Sequence, residues 1–292
     1  MPNKHNKKRA NKKRSSKSSS PANSHNAAAS SNLLIESWQA RDVLYQQVFG
    51  QHAYVSPKHY APPKKQTRAD SDAAKTAEFK ITNSPDEAKE QELAIFTYAP
   101  DPLRPYWTYI TAGLSTPWLQ NEALEVSGFG LELMVKSPVE AEWPAQILRT
   151  MAYYIFNHMG TLSPGKRLAL NSSIIAGGES LLRNVLIWYT DEAPDGWYQL
   201  PSGGFGIFTA IGVTDDEMRL TEDVHQEYGT WCMVQILKRL GLDQVTDPRR
   251  ASIFARENIT SIIDSVKDYA EQFHQAFPAA NELRGEGHNE QN

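Results

Sequence analysis

The chain has 292 residues and a formal net charge of −4, a length that holds one large domain or two small ones. The charge is uneven, because residues 1–35 carry eight Lys or Arg and no acidic residue, which leaves −12 on the rest of the chain. An acidic body repels the phosphates of nucleic acid, so nucleic-acid binding is unfavourable except through the basic tail.

Cysteine content and hydropathy predict the compartment. Cys232 is the one cysteine, which excludes an internal disulfide and a cysteine-based zinc site and fits a reducing environment. No window approaches 18 consecutive apolar residues, so a membrane span is not expected. The basic start has no apolar segment behind it, which argues against a secretory signal. We therefore expect a cytoplasmic protein without a membrane partner.

The N-terminal part divides into a tail, a helix and a linker. Residues 1–32 lack an apolar period and are predicted to be a disordered basic tail, which is either solvated or an arm that touches RNA or an acidic partner. Residues 33–90 are predicted to be a helix followed by an extended linker. The helix places apolar residues near one face and ends at Gly50. These apolar residues are Leu34, Trp38, Val43, Leu44 and Val48.

The body opens with strands. The segments ELAIFTY and YWTYITAG are predicted strands, separated by a loop with three prolines. EVSGFGLELMVK, residues 125–136, alternates with a period of two, which predicts a strand with one face on a core. Phe129, Leu131, Leu133 and Val135 would point to that core, and the residues between them would point away from it.

Helical periods then alternate with strands. EWPAQILRTMAYYIFNH predicts a helix that starts near Pro144, and two strands follow, NVLIWYT and GFGIFTAIGVT. The next helix is predicted to begin with a capping box, Thr214 and Glu217, and to run to Gly241. The last helix carries an apolar stripe from Ile259 to Phe277 that needs a partner surface, most simply the sheet.

These elements predict the fold class. It is an α+β fold with a mixed, largely antiparallel sheet packed by amphipathic helices, in one domain over residues 91–278. Residues 279–292 are predicted to be a second disordered tail.

Two glycine-rich segments raise the question of a phosphate site. SGFGLE and SGGFGIF each have two glycines two residues apart. A dinucleotide fingerprint needs a third glycine three residues later and a helix that begins there, and both segments lead into strands instead. Neither ends in the GK[ST] of a P-loop. We interpret both as glycines that permit a tight entry or close packing at the start of a strand.

Other catalytic patterns are weak. The histidines lack an i, i+4 pair on one helix and an H-E-x-x-H motif, so no metal site is predicted. The acidic run TDDE is explained by a helix start, although a catalytic role stays open. Cys232 lies in an amphipathic helix, where a small buried thiol is the usual role.

Aromatic residues gather near predicted loop ends. Most are expected in the core, but any that are exposed beside a strand edge would suit protein recognition. They are Trp107, Tyr109, Trp118, Trp143, Trp188, Trp197, Tyr198 and Trp231.

Five segments, in order, resemble blocks of the suppressor-of-fused domain. They are YWTYITAGLS, EVSGFGLELMVK, EWPAQILRTMAYYIF, GIFTAIGVTDDEM and VTDPRRASIF, and the resemblance runs from about Glu92 to about Asp264. Each motif is modest alone, but five in the same order and similar spacing are specific. The family-motif residues, predicted to be structural, are Trp107, Tyr109, Gly113, Ser115, Gly128, Phe129, Gly130, Glu132, Trp143, Pro144 and Asp247.

The resemblance implies a single lobe that binds protein without catalysis, cofactor or small-molecule substrate. Animal members clamp an extended motif of Hedgehog-pathway zinc-finger transcription factors between two lobes, whereas this chain looks like the first lobe. Bacterial single-domain relatives are proposed as immunity proteins that neutralise toxins, and this chain is similar to that type.

The resemblance also implies partner-binding residues. Tyr154 matches a tyrosine that helps to hold the peptide in the animal lobe. Lys166 falls where the animal lobe has an aspartate, which reverses the charge preferred in the ligand. Arg249 and Arg250 match in the T-D-x-R-R motif, either as partner-binding residues or as structural residues that bind carboxylates or backbone carbonyls.

The sequence therefore predicts a bacterial immunity-type protein that neutralises a cognate toxin. The alternative is a regulatory adaptor that sequesters a cellular protein through an extended peptide. An enzyme is the remaining alternative, which a deep pocket with two convergent carboxylates or a histidine pair would support.

Overall fold

The computed structural model describes residues 22–56, 93–118, 120–158, 162–192, 196–224 and 228–276. The predicted tail at 279–292, most of the basic tail and most of the predicted linker lie outside the described residues. None of the described helices is long and apolar enough to cross a bilayer.

The described residues form eight strands, five α-helices and one short 3-10 helix. The strands are β1 (Tyr54–Val55), β2 (Ala94–Tyr98), β3 (Trp107–Ala112), β4 (Val126–Ser137), β5 (Arg167–Ala169), β6 (Leu182–Tyr189), β7 (Tyr198–Leu200) and β8 (Gly203–Thr214). The α-helices are α1 (Ala22–Phe49), α2 (Trp143–His158), α3 (Asp215–Val224), α4 (Gly229–Arg239) and α5 (Ile259–Ala276), and the 3-10 helix is Ile253–Ala255.

All eight strands belong to one sheet with the order β1-β2-β3-β4-β8-β6-β5, and β7 pairs with the start of β8. β4 and β8 are parallel, and the other described pairs are antiparallel. This confirms the predicted α+β fold with a mixed, largely antiparallel sheet.

Helices cover both faces of the sheet. On one face, α2 packs on β4 through a core that includes Leu131, Leu133 and Ile147. On the other face, α1 covers β2 to β4, and α3 and α4 cover β6 and β8. The prediction that β4 has one buried face is therefore wrong, because every residue from Gly130 to Ser137 is buried.

The first helix differs from its prediction in start and orientation. α1 begins at Ala22, ahead of the predicted start near Leu33, in an alanine-rich segment with high helix propensity. Val43, predicted on the inner face, is 53% exposed. The buried face instead contains Arg41 and Tyr45, because their polar ends find partners on the sheet.

The single helix predicted up to Gly241 is two helices, α3 and α4. A Cβ at Gly229 would lie 1.7 Å from the carbonyl oxygen of Thr221, so α4 can begin this close to α3 only with glycine. Gly241 follows α4 with φ +69°, as expected for a helix end. The stripe of α5 packs chiefly on α4 and not on the sheet, with Trp231 and Tyr269 stacked 5.8 Å apart.

Candidate partner-binding surface

The family-motif glutamate, Glu132, joins β4 to the loop after β3. Its side chain is fully buried, and Oε1 accepts hydrogen bonds from the Gly113 N–H (3.0 Å), the Ser115 N–H (2.9 Å) and the Ser115 hydroxyl (2.6 Å). Oε2 accepts from the Thr111 hydroxyl at 2.5 Å, and Arg41 Nη1 lies 3.8 Å from Oε1. These bonds hold the loop after β3 against β4. They also satisfy the Glu132 carboxylate, which would be costly to bury without hydrogen-bond donors.

The glycine of the same motif packs against that loop. A Cβ at Gly128 would lie 2.5 Å from the Thr116 carbonyl oxygen and 2.6 Å from that of Leu114. The Phe129 N–H donates to the Leu114 carbonyl at 2.8 Å. The segment GFG is therefore a strand entry held against its neighbouring loop, as the sequence predicts.

The aromatic motif residues lie in or beside the α2-side core. Tyr109 is fully buried, its hydroxyl accepts a hydrogen bond from the Ala141 N–H at 2.9 Å, and burial raises its pKa to about 12. Trp143 opens α2 with Pro144 directly after it, and Trp107 packs at the margin of this core. These contacts fit a structural role.

The predicted capping box is present and has a further partner. The Thr214 N–H donates to Glu217 Oε2 at 2.9 Å, and the Glu217 N–H donates to Thr214 Oγ1 at 3.5 Å. Arg250 makes a two-pronged ion pair with Glu217, 2.5 Å from each oxygen, and its side chain is 8% exposed. Arg250 is thus buried and binds a carboxylate within the fold, the arrangement that its structural alternative expects.

Arg249 differs from its neighbour. Its side chain is 73% exposed, and its Nε lies 3.4 Å from Asp247 Oδ1. Asp247 also accepts from the Arg249 N–H at 3.0 Å. Arg249 is thus available to solvent on a loop that Asp247 shapes.

Lys166 lies at the sheet edge formed by β5, and Tyr154 lies on α2. Lys166 is exposed and immediately precedes β5. Tyr154 of α2 and Leu168 of β5 are both partly buried at the margin of the α2-side core. The structure therefore places Lys166 directly before β5, Tyr154 on α2 at the margin of the core, and Arg249 and Arg250 on the loop after α4.

The structure also contains a buried polar cluster that the sequence does not predict. Lys136 Nζ is 3.2 Å from Glu192 Oε1 and 3.3 Å from Gln244 Oε1, and the Tyr106 hydroxyl donates to Glu192 Oε1 at 2.6 Å. Glu192 Oε2 and Arg104 Nη1 lie 4.0 Å apart, and neither atom has a hydrogen-bond partner among the described residues. The one feature of the sequence that could have indicated this cluster is Lys136, a charged residue at the end of a long apolar run.

Groups able to carry chemistry are sparse in the described part of the chain. No three His, Cys, Asp or Glu side chains among the described residues are placed to hold a metal ion. Cys232 is buried, and this burial raises its thiol pKa to about 11. A thiol with a raised pKa is a poor nucleophile at neutral pH.

Comparison with known proteins agrees with the motif assignment. The sequence profile of the suppressor of fused protein (SUFU) family matches residues 89–251, more than half of the chain. The human suppressor of fused homologue is 26% identical over 161 residues, which span 50% of this chain and 32% of the human protein. The matched region is thus about a third of the length of that relative.

Solved structures share the fold. A chain of the Sufu–Fu complex crystal structure aligns with a TM-score of 0.56 and 17% identity, covering 79% of this chain and 95% of that one. Drosophila Suppressor of Fused aligns with a TM-score of 0.50 and 22% identity, covering 62% of this chain and 46% of that one. From the family match and the motifs it contains, the chain belongs to the suppressor of fused protein (SUFU) family.

Proposed function

We propose that the chain is a non-catalytic protein-binding module that takes an extended segment of its partner along the outer edge of β5. The observation that carries this proposal is the position of β5 at the end of the sheet, where it pairs with β6 alone among the described strands. Edge strands offer main-chain groups to an incoming strand. The relative in the Sufu–Fu complex supports a protein as the partner.

The register of β5 shows which groups are available. Leu168 lies opposite Val185, and the Leu170 N–H donates to the Arg183 carbonyl of β6 at 2.9 Å. Because alternate residues of an antiparallel strand direct their main-chain groups to opposite sides, those of Ala169 point away from β6. Ala169 is exposed, and α1 packs on the other half of the sheet. The edge is therefore not covered by the N-terminal helix.

The side chains around β5 give the partner segment its preferences. Lys166 places a positive charge at the start of the edge, so we expect an acidic residue of the partner to lie nearby. Tyr154 and Leu168 offer apolar surface at the α2 side. We therefore expect an apolar partner residue on that side. Arg249, on the loop after α4, is a further candidate contact.

The proposal is tested by blocking the strand edge. Ala169→Pro removes the N–H that an incoming strand would use, and Ala169→Val keeps it. Peptides that carry an acidic residue, selected from a random display library on the full chain, are expected to bind wild type and the Val variant alike. Loss of a main-chain hydrogen bond should weaken binding to the Pro variant by about tenfold or more. Equal binding by a folded Pro variant, checked by thermal unfolding, would overturn the proposal.

For the partner class, we propose the toxin predicted from the sequence. The supporting observation is the charge of −12 outside residues 1–35, since an acidic surface steers toward basic proteins such as many nucleic-acid-cleaving toxins. Capture from the native host with the full chain should recover a toxin encoded beside it. Recovery of a regulatory protein of the same cell would support the adaptor instead, and recovery of housekeeping enzymes alone would count against both.

A further inference from the structure

We infer that Leu124, Val126 and Trp197 form a second protein-binding surface, whose partner presents a large apolar side chain flanked by basic residues. These three residues are called the apolar shelf below. The inference concerns a different part of the sheet from the β5 edge and does not depend on it.

The apolar shelf is exposed although its residues are large and apolar. Leu124 is 54% exposed, Trp197 49% and Val126 36%. Leu124 lies two residues before Val126, where the chain enters β4. Neighbouring exposed apolar side chains are uncommon on soluble proteins unless they bind something, and tryptophan is prominent among residues that dominate binding energy.

Glycines bring the tryptophan to this position. A Cβ at Gly204 would lie 2.1 Å from Trp197 Nε1, so the ring rests directly against the main chain of β8. A Cβ at Gly130 would lie 2.4 Å from Val126 Cγ1 and 3.9 Å from the Trp197 ring. Val126 and Trp197 are therefore neighbours over Gly130. The glycine-rich segments that could be mistaken for phosphate loops thus form the base of an apolar surface.

The apolar shelf is held in place by hydrogen bonds. The Leu124 N–H donates to the Ser202 carbonyl at 3.0 Å, and the Gly204 N–H donates to the Glu125 carbonyl at 2.9 Å. The Gln120 amide donates to the Ser202 carbonyl at 2.9 Å and accepts from the Gly128 N–H at 2.7 Å. Since the surface is already ordered, a partner does not have to order it on binding.

The charge around the apolar shelf selects the partner. Residues 105–135 and 184–218, which supply the shelf and the strands below it, contain no Lys or Arg. Glu122 and Glu125 are exposed on either side of Leu124. An apolar surface beside two exposed glutamates favours a partner segment that combines a large apolar residue with Lys or Arg.

The apolar shelf is separate from β5. Trp197 lies next to β7, which pairs with the first residues of β8, Gly203 to Phe205. β6 pairs with the remainder of β8, from Phe208 onward, and carries β5 on its far side. A substitution in β5 should therefore leave this surface unchanged.

The test uses peptides selected from a random display library on the full chain, with binding followed by the quenching of tryptophan fluorescence. Peptides with an aromatic or leucine residue beside Lys or Arg are expected. Their affinity should fall at least about tenfold in Trp197→Ala and in Leu124→Ser, because both remove central apolar contacts. The double variant Glu122→Lys/Glu125→Lys should slow association and weaken its salt dependence.

Two matched variants act as controls. Leu181→Ser changes an equally exposed leucine elsewhere (56% exposed), and Ala169→Pro blocks the β5 edge, so both should bind these peptides as wild type does. Thermal unfolding shows that each variant is folded. A selection that yields no peptide sensitive to Trp197→Ala or Leu124→Ser overturns the inference, and so does full retention of binding in the Lys double variant.

Discussion

Two buried ion pairs in this fold differ in how completely their carboxylates are bonded. Glu217 receives two short bonds from Arg250, and its oxygens also accept the N–H groups of Thr214 and Ile253. Glu192 Oε1 lies near Lys136 and accepts from the Tyr106 hydroxyl, and its second oxygen has no hydrogen-bond partner in the part of the chain that the structure describes. The described contacts of Glu217 therefore satisfy both of its oxygens, whereas those of Glu192 satisfy one.

The difference shows how burial and bonding together decide the stability that an ion pair brings. Removing charges from water is costly, and only good geometry with further hydrogen bonds offsets that cost. The Arg250–Glu217 pair has both, and the arginine fork matches the carboxylate with two parallel bonds. The Lys136–Glu192 pair has a single contact at 3.2 Å, so its removal should cost less.

The largest effect is expected for Arg250→Ala. The variant leaves Glu217 fully buried without its countercharge, which should lower the free energy of unfolding by ~3–5 kcal/mol. Urea unfolding measures this change. Arg249→Ala is the matched control, since its exposed side chain should contribute within about 0.5 kcal/mol. Equal effects of the two variants would contradict the assignment of Arg250 as the structural arginine.

A smaller effect is expected for Lys136→Met. Glu192 keeps the Tyr106 hydroxyl and stays near Arg104, so we expect a loss of ~1–3 kcal/mol in the free energy of unfolding. Adding Glu192→Leu should restore part of the loss, because two apolar residues then replace the pair. The same urea series measures both variants. If the double variant is less stable than Lys136→Met, the Lys136–Glu192 pair is not the weak ion pair that its geometry indicates.

The smallest effect concerns the surface end of the same cluster. A hydrogen bond with Arg104 holds the pKa of Asp101 below its ordinary value. A carboxyl with a lowered pKa in the folded state adds stability above its unfolded pKa, and this is lost as the pH falls through the folded pKa. Asp101→Asn should therefore be slightly less stable than wild type at neutral pH. Thermal unfolding as a function of pH should show the difference vanish in acid, and a constant difference would contradict this origin.

Sequence patterns predicted the long elements and the family motifs because each has a local signal. The alternation in β4, the capping box before α3 and the glycine after α4 follow from neighbouring residues. The burial of Glu132 and Lys136 does not follow from neighbouring residues. It depends on Arg41 of α1 beside Glu132 and on the distant loop residues Glu192 and Gln244 beside Lys136. β5 has three residues, too few for a period of two, so its edge position could not be predicted.

The candidate surfaces illustrate the same limit. Tyr154 and Lys166 were selected through the resemblance, and the position of Lys166 at a sheet edge could be seen only from the strand order. Trp197 was recognised as an aromatic near a loop end, but its partners Leu124 and Val126 come from a distant segment. The glycines of the two glycine-rich segments are conspicuous in the sequence, but their spacing first suggests phosphate loops and not an apolar surface.

The parallel pairing of β4 with β8 has a consequence for how the chain folds during synthesis. β4 ends at Ser137, and its partner begins at Gly203, so the pairing must wait for a long intervening segment. Until then, the antiparallel unit of β2, β3 and β4 exposes the β4 edge, with the apolar side chains of Leu131, Leu133 and Val135 on one face. Unpaired apolar edges promote aggregation, and such non-local pairing is slow to form. A ribosome-bound chain that stops before β8 should therefore bind chaperones strongly and release them once β8 has emerged.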